Sequence, residues 1–112
     1  MTTKKVIFVD IDDTICYYKD VVQKNADINT IDYNTALPYL ERIHKINKLF
    51  DEGNIIIYWT SRGSRTGLNW FNLTLNQLNK WGVKFTELRL GKPHYDLFID
   101  DKNVNSNDFF NT

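Results

Sequence analysis

The sequence predicts an α/β fold with a central, mostly parallel sheet. Three short apolar runs, Val6–Val9, Ile55–Trp59 and Leu97–Ile99, each end at a polar residue. Unbroken apolar runs of this length are typical of strands covered on both faces, as in parallel sheets. Segments with helical spacing follow the first and the second run, and such alternation is the signature of an α/β sheet with right-handed crossovers.

The first helix is predicted between the first two runs. Apolar residues recur there at helical spacing, beginning at Leu37 and ending at Phe50. Pro38 lies in the predicted first turn and Gly53 just past the predicted end, which are the usual places of proline and glycine in helices. Residues 15–34, which precede this helix, fit neither regular pattern and are predicted to form a loop or a small hairpin.

The second helix is predicted between the second run and Val83, and it is expected to end at Gly82. Its apolar face is formed by Leu68, Phe71, Leu75 and Leu78. A weaker strand candidate, residues 83–85, follows this helix, and the run at 97–99 is the last predicted strand.

Length and composition predict a single domain over residues 1–112. The chain has 14 basic and 14 acidic residues and a formal net charge of zero, and its length is usual for one domain. No apolar run approaches the roughly 20 residues of a membrane span, and too few apolar residues precede Asp10 for a signal peptide. The single cysteine, Cys16, suits a reducing, cytoplasmic location. We therefore expect a cytoplasmic protein without a membrane partner; its neutral charge does not favour nucleic acid, and a homo-oligomer is compatible with the sequence.

Each apolar run is followed by a residue that can carry chemistry. These residues are Asp10, Thr60 and Asp100. In open α/β sheets, ligands bind outside the carboxyl ends of the strands, so the three are expected to converge at one edge of the sheet. Asp and Thr are also common in ordinary turns, and the functional interpretation therefore depends on their combination.

The first cluster is Asp10-Ile11-Asp12-Asp13-Thr14. Two carboxylates placed two residues apart after a strand can divide the work of covalent phosphoryl transfer. One attacks as the nucleophile, and the other donates a proton to the leaving oxygen and later activates water. Because the carboxylates repel each other, a cation is expected between them, and oxygen ligands select a hard ion such as Mg²⁺.

The second cluster is a hydroxyl-rich and basic loop. It contains Thr60, Ser61, Arg62 and Arg65. Hydroxyls and backbone N–H groups at the start of a helix suit a phosphate, so Thr60 and Ser61 are candidates for binding the phosphoryl group. Arg62 and Arg65 are expected to contact the part of the substrate that is not transferred. The competing interpretation is a helix cap with two solvated arginines.

The third cluster contains a lysine and a second acidic pair. Lys92 lies beside Pro93, and a lysine in such a turn can stabilise the negative charge that develops on a transferring phosphoryl group. Asp100 and Asp101 follow the last predicted strand, where they could complete the cation site. Taken alone, a lysine is usually a solvated surface group and an Asp pair is usually a turn.

In this order, the clusters resemble the four sequence motifs of the haloacid dehalogenase (HAD) superfamily. The matching residues are Asp10-x-Asp12-x-Thr14, Thr60, Lys92 and Asp100-Asp101. The resemblance implies a three-layer, Rossmann-like fold and catalytic residues Asp10, Asp12, Thr60 and Lys92. It also implies Mg²⁺ bound by Asp10, by the main-chain carbonyl of Asp12 and by Asp100, with Asp101 as a ligand or a neighbouring partner. Thr14 would orient the nucleophile loop.

The resemblance is closest to small HAD proteins that have no cap domain. The segments between the predicted strands leave no room for a cap, so the site is expected to be open. Some of these small proteins are associated with the synthesis of bacterial capsule or surface polysaccharide. We therefore expect a Mg²⁺-dependent phosphomonoester hydrolase that acts on a sugar phosphate or a similar small metabolite. Tyr17, Tyr18 and Tyr33 could line the substrate or pack in the interior.

Two alternatives stay open. The first is a 5′-nucleotidase or a polynucleotide phosphatase with the same chemistry. The second is a non-catalytic, receiver-like module that accepts a phosphoryl group on an aspartate. In receivers the acidic pair follows the first strand and the acceptor aspartate follows a middle strand, whereas here the middle strand ends at Thr60.

Overall fold

The computed structural model describes residues 4–19 and 32–111, and its central sheet has three parallel strands. They are β1 (Val6–Val9), β4 (Ile55–Trp59) and β5 (Glu87–Arg89), in the order β1-β4-β5. The helices are α1 (Leu40–Asp51), α2 (Phe71–Lys80) and the short α3 (Ser106–Phe110). The predicted α/β fold with a central parallel sheet is confirmed, and no cap domain is inserted within the described residues.

A second, two-stranded sheet lies in the region predicted as a loop or small hairpin. It pairs β2 (Cys16–Tyr17) antiparallel with β3 (Leu37–Pro38). A short 3-10 turn at Tyr33–Thr35 precedes β3, and residues 20–31 lie outside the described part of the chain. This pairing removes Leu37 and Pro38 from the predicted first helix, which begins later, at Leu40.

The core lies on one face of the central sheet. Since side chains alternate along a strand and Val9 is opposite Tyr58, these two point to the same face. The buried residues of that face pack with residues of α1 and α2, and together they are Val9, Ile56, Tyr58, Leu88, Ile43, Ile46 and Leu78. The other face includes the exposed side chains of Val6 and Phe8. No helix in the described ranges is long and apolar enough to cross a bilayer.

The predicted strand at 97–99 is wrong. The structure assigns no strand there, and Leu97 and Ile99 are 76% and 87% exposed. The weaker candidate at 83–85 is also wrong, and the third strand of the sheet is Glu87–Arg89. Only the central residue of that strand, Leu88, is buried, because β5 is an edge strand whose polar neighbours face solvent. The apolar run at 97–99 was therefore mistaken for a strand, and the real strand, Glu87–Arg89, was overlooked because its sequence mixes polar and apolar residues.

We expect Tyr58→Phe to stabilise the protein by about 1 kcal/mol, because it removes a buried hydroxyl for which the described part of the chain offers no hydrogen-bond partner. Tyr58 is fully buried, and its hydroxyl makes no hydrogen bond within the described residues. Its ring packs edge-on against Phe85, a contact that phenylalanine keeps. The measurement is the free energy of unfolding in urea.

Tyr18→Phe is the matched control for this substitution. The Tyr18 hydroxyl donates to Asp12 at 2.7 Å, so its removal should lower the free energy of unfolding. A lower stability of Tyr58→Phe than of the wild type would contradict the prediction.

Candidate active site

The loop after β1 is a tight turn built by its own backbone. The N–H groups of Thr14 and Ile15 both donate to the carbonyl oxygen of Ile11, at 3.1 and 2.9 Å. The N–H of Asp13 donates to the carbonyl oxygen of Cys16 at 2.9 Å. Asp13 has a left-handed backbone, with φ of 61°, which aspartate tolerates better than most residues. The turn thus holds the first acidic cluster directly at the carboxyl end of β1.

Asp10 pairs with Lys92 at this end of the sheet. The Lys92 ammonium lies 3.5 Å from Oδ1 of Asp10, and the two side chains are 13% and 35% exposed. The Thr14 hydroxyl donates to Oδ2 of Asp10 at 3.3 Å. Burial raises the pKa of the Asp10 carboxyl, and the positive charge of Lys92 opposes this effect. The structure therefore brings together the predicted nucleophile, its supporting threonine and the predicted charge-stabilising lysine.

The loop after β4 connects Thr60 to Lys92. The N–H of Lys92 donates to the Thr60 carbonyl at 3.1 Å, and the Ser64 hydroxyl donates to the Lys92 carbonyl at 2.7 Å. Thr60 is buried, and its hydroxyl accepts from the N–H of Arg62 at 3.1 Å. Ser61 is half-buried and Arg65 is exposed, so both remain candidates for contact with a substrate.

Gly63→Ala should destabilise the protein by about 2–4 kcal/mol, because this loop has no room for a side chain. Gly63 has φ of 81°, and a Cβ atom there would lie 2.2 Å from the Leu68 carbonyl oxygen. Gly67→Ala is the matched control, since Gly67 has φ of 76° and a Cβ atom added there would meet no atom of the described residues within 4 Å. It should cost about 1 kcal/mol. The free energy of unfolding in urea measures the loss of stability in both variants. Equal losses in the two variants would contradict the predicted clash.

Arg62 points into the protein, which is at odds with its predicted contact with a substrate. Its side chain is buried and forms a two-point ion pair with Asp12: Nε donates to Oδ2 at 3.0 Å and Nη2 to Oδ1 at 2.8 Å. Nη1 donates to Thr74 at 3.1 Å and to Gln77 at 2.6 Å, both in α2. Burial alone lowers the pKa of Arg62, but its hydrogen bonds to Asp12 make the net shift upward.

Two further side chains contact Asp12, and neither contact was predicted from the sequence. The Tyr18 hydroxyl donates to Oδ1 at 2.7 Å, and the Cys16 thiol donates to the same oxygen at 3.4 Å. Burial raises the pKa of both groups, and the negative charge of Asp12 raises it further, so both remain protonated donors. The spacing of Cys16 and Tyr18 could have indicated that both face the same side, because side chains two residues apart in an extended chain point in the same direction.

Aromatic rings flank Lys92. Its ammonium lies 5.2 Å from the ring centre of Tyr95 and 6.0 Å from that of Trp59, and Tyr95 is exposed. Of the tyrosines considered from the sequence, Tyr18 and Tyr33 are buried, and Tyr17 packs on Tyr39. Tyr95 is therefore better placed than those three to meet a substrate.

The Mg²⁺ site stays a prediction from the sequence. Asp100 and Asp101 are exposed, and Asp101 pairs with Lys102 at 3.3 Å. Across residues 4–19 and 32–111, no three or more His, Cys, Asp or Glu side chains are grouped so as to hold a metal ion. Residues 97–99, which precede this acidic pair, do not join the sheet.

Comparisons with known proteins show a structural neighbour and no family. Neither a protein-family model nor a curated protein matches the chain. A crystal structure described as an MCSG target from Vibrio cholerae is similar, with a TM-score of 0.77 and 27% sequence identity. The match covers 96% of this chain and 89% of that chain. Similarity over nearly the whole of both chains supports the α/β fold, and the description of the neighbour names no function.

Proposed function

We propose that this chain is a HAD-type phosphomonoester hydrolase that works through an aspartyl-phosphate on Asp10. The observation that carries the proposal is the pairing of Asp10 with Lys92 at 3.5 Å, at the carboxyl end of β1. These residues match the nucleophile and the lysine of the HAD motifs, and Thr60 is tied to Lys92 through the backbone. The fold is compatible with this assignment but does not test it.

In the first step, the Asp10 carboxylate attacks phosphorus and the bond from phosphorus to the ester oxygen breaks. A proton held by Asp12 passes to the leaving oxygen, which departs as an alcohol. Lys92 and the Thr60 hydroxyl stabilise the negative charge on the phosphoryl oxygens. The product on the enzyme is an aspartyl-phosphate.

In the second step, water attacks the phosphorus of the aspartyl-phosphate. The Asp12 carboxylate takes a proton from this water, and the bond between phosphorus and the Asp10 oxygen breaks. Inorganic phosphate leaves, and the Asp10 carboxylate is restored. The same aspartate thus acts first as an acid and then as a base, as in other two-step hydrolases.

The proposal includes Mg²⁺ as a cofactor because the sequence motifs imply it. The Asp10 carboxylate and the Asp12 carbonyl are oxygen donors of the type it prefers. Both steps above are derived from the side chains of the protein alone.

The proposed substrate is a small phosphorylated metabolite, with a sugar phosphate favoured over a nucleotide. We assign Ser61 to the phosphoryl group, and Arg65 and Tyr95 to the part of the substrate that is not transferred. The resemblance to small capless HAD proteins adds a role in the synthesis of surface polysaccharide as the associated pathway. A cytoplasmic location fits these substrates.

A phosphatase screen tests the proposal. Purified protein is incubated, with and without Mg²⁺, with sugar phosphates, 5′-nucleotides, a 3′-phosphorylated oligonucleotide and an aryl phosphate, and the released phosphate is measured. We expect Mg²⁺-dependent release from at least one sugar phosphate and from the aryl phosphate. Release of no phosphate from any compound would refute the hydrolase. Preferential release from nucleotides or the oligonucleotide would instead favour the nucleotidase alternative.

The receiver-like alternative is supported by the position of Asp12. Both of its carboxylate oxygens already accept hydrogen bonds from Arg62, and a base held in this way can be slow to activate water. A phospho-acceptor would gain one phosphoryl group on Asp10 from a small phosphodonor such as acetyl phosphate, without steady release of phosphate. Mass spectrometry of the intact protein distinguishes this stable phosphoprotein from a hydrolase that turns over.

A further inference from the structure

Arg62 is a buried cation whose donors are all directed to specific acceptors. Its two-point ion pair with Asp12 uses Nε and Nη2, and Nη1 reaches Thr74 and Gln77. A buried charge is costly unless it is paired and hydrogen-bonded, and here every guanidinium nitrogen has a carboxylate, hydroxyl or amide acceptor. These hydrogen bonds therefore fix the guanidinium of Arg62 in one position.

The rest of the fold holds this guanidinium in place. Its plane lies against the ring of Tyr33, with 4.7 Å from the guanidinium carbon to the ring centre. Gln77 accepts from Arg62 and in turn donates from Nε2 to the Tyr33 carbonyl oxygen at 2.6 Å. Arg62 is thus braced by α2 on one side and by the 3-10 turn on the other.

Asp12 receives its orientation from this brace. A forked pairing of arginine with a carboxylate fixes the plane of the carboxylate as well as its position, and the Tyr18 hydroxyl adds a third contact at 2.7 Å. The Asp12 side chain keeps 24% of its surface exposed, so it remains accessible from solvent while it is held. It lies two residues from Asp10, on the same tight turn.

We infer that Arg62 is a positioning residue, which holds the Asp12 carboxylate in one orientation next to the nucleophile while α2 holds Arg62. This inference rests on the proposed function, because Asp12 acts there as the proton donor and acceptor. Arg62 itself touches neither the substrate nor the reacting atoms. Its effect on the rate passes through Asp12, and it should depend on how much the leaving oxygen needs a proton.

The test measures KM and the single-turnover rate of the first step, transfer of the phosphoryl group to Asp10, for Arg62→Gln on two phosphate esters that differ in the leaving group. The second step is the same for both esters, so it does not enter this comparison. On an alkyl phosphate, whose leaving oxygen needs a proton, this first-step rate should fall about 100-fold, the usual cost of a misplaced catalytic group. On p-nitrophenyl phosphate, whose leaving group departs without a proton, the fall should be about tenfold smaller. KM should change little for both esters, because Arg62 does not touch the substrate.

Two further variants separate positioning from folding. Gln77→Leu leaves the ion pair of Arg62 with Asp12 in place but removes the hydrogen bond from Arg62 to Gln77. It should therefore show a smaller loss of rate, again greater on the alkyl ester than on the aryl ester. If Arg62→Gln does not fold, Gln77→Leu decides the matter. Arg89→Gln is the matched control, since Arg89 forms an exposed ion pair with Glu87 at 2.8 Å, and it should behave as the wild type.

The outcomes distinguish this inference from the proposed function. An equal fall on both esters would show a merely structural role and overturn the inference, while the hydrolase would stand. A faster reaction of Arg62→Gln on the alkyl ester would also overturn it, by showing that the pair keeps Asp12 out of the reaction. A wild-type protein that hydrolyses neither ester would overturn both proposals together.

Discussion

Asp10→Asn should abolish phosphate release, with a fall in kcat of about 10⁴-fold or more, because the amide cannot act as the nucleophile. Asparagine has nearly the same shape, so the Thr14 contact at 3.3 Å and the turn after β1 should persist. The phosphate released from the best substrate of the screen is the measurement, taken under single-turnover and steady-state conditions.

Two control measurements compare the folding and the phosphorylation of this variant with those of the wild type. Circular dichroism and urea unfolding should match the wild type closely, since a partly exposed ion pair contributes only about 0–1 kcal/mol. Mass spectrometry after incubation with a phosphodonor should detect a phosphoryl group on the wild-type peptide that contains Asp10, and none on that of the variant. If Asp10→Asn kept a tenth of the wild-type activity, the aspartyl-phosphate mechanism would be wrong.

Lys92→Met should lower kcat by about 10²–10³-fold, the usual cost of removing a group that stabilises developing charge in a site of restricted access. Methionine keeps most of the length of the side chain but loses the ammonium that lies 3.5 Å from Asp10. The backbone bonds that tie this residue to Thr60 and Ser64 are retained. The measurement is kcat on the aryl phosphate, so that any change in proton donation has little effect.

Lys84→Met provides the matched comparison. Lys84 also forms an ion pair, with Asp51 at 2.9 Å, but both side chains are about half exposed. Loss of this surface pair should leave kcat within twofold or so of the wild type and change stability by at most about 1 kcal/mol. If Lys92→Met and Lys84→Met lowered kcat equally, the role assigned to Lys92 would be refuted.

Most of the fold could be predicted from patterns that are local in sequence. The runs Val6–Val9 and Ile55–Trp59 are strands as predicted, and the two helical patterns are α1 and α2. Hydrophobic periodicity over a few residues was sufficient, because both strands and both helices contribute to the buried core. Gly53 and Gly82 follow the helices with positive φ, at 99° and 72°, as the stop signals indicated.

The errors arose where distant parts of the chain decide the outcome. Leu97 and Ile99 form an apolar run, but a run predicts a strand only if another strand edge receives it, and here none does. Glu87–Arg89 has little strand signal of its own, and it is a strand because β4 pairs with it in register. Pro38 looked like a helix start, but the pairing of β3 with β2 holds it outside α1.

By itself, the sequence determined which chemical groups follow the strands. It therefore predicted that Asp10 and Thr60 lie at one edge of a parallel sheet, because strand direction is implied by the alternation of strands and helices. It predicted Asp100 as the third residue of that edge, whereas the structure has Lys92 beside Asp10. Only the tertiary structure decided that Arg62 turns inward to Asp12, that Tyr18 and Gln77 complete this network, and that Asp100 and Asp101 remain apart from it. The physical reason is that burial and pairing of a charge depend on contacts between segments far apart in the chain, which no local pattern encodes.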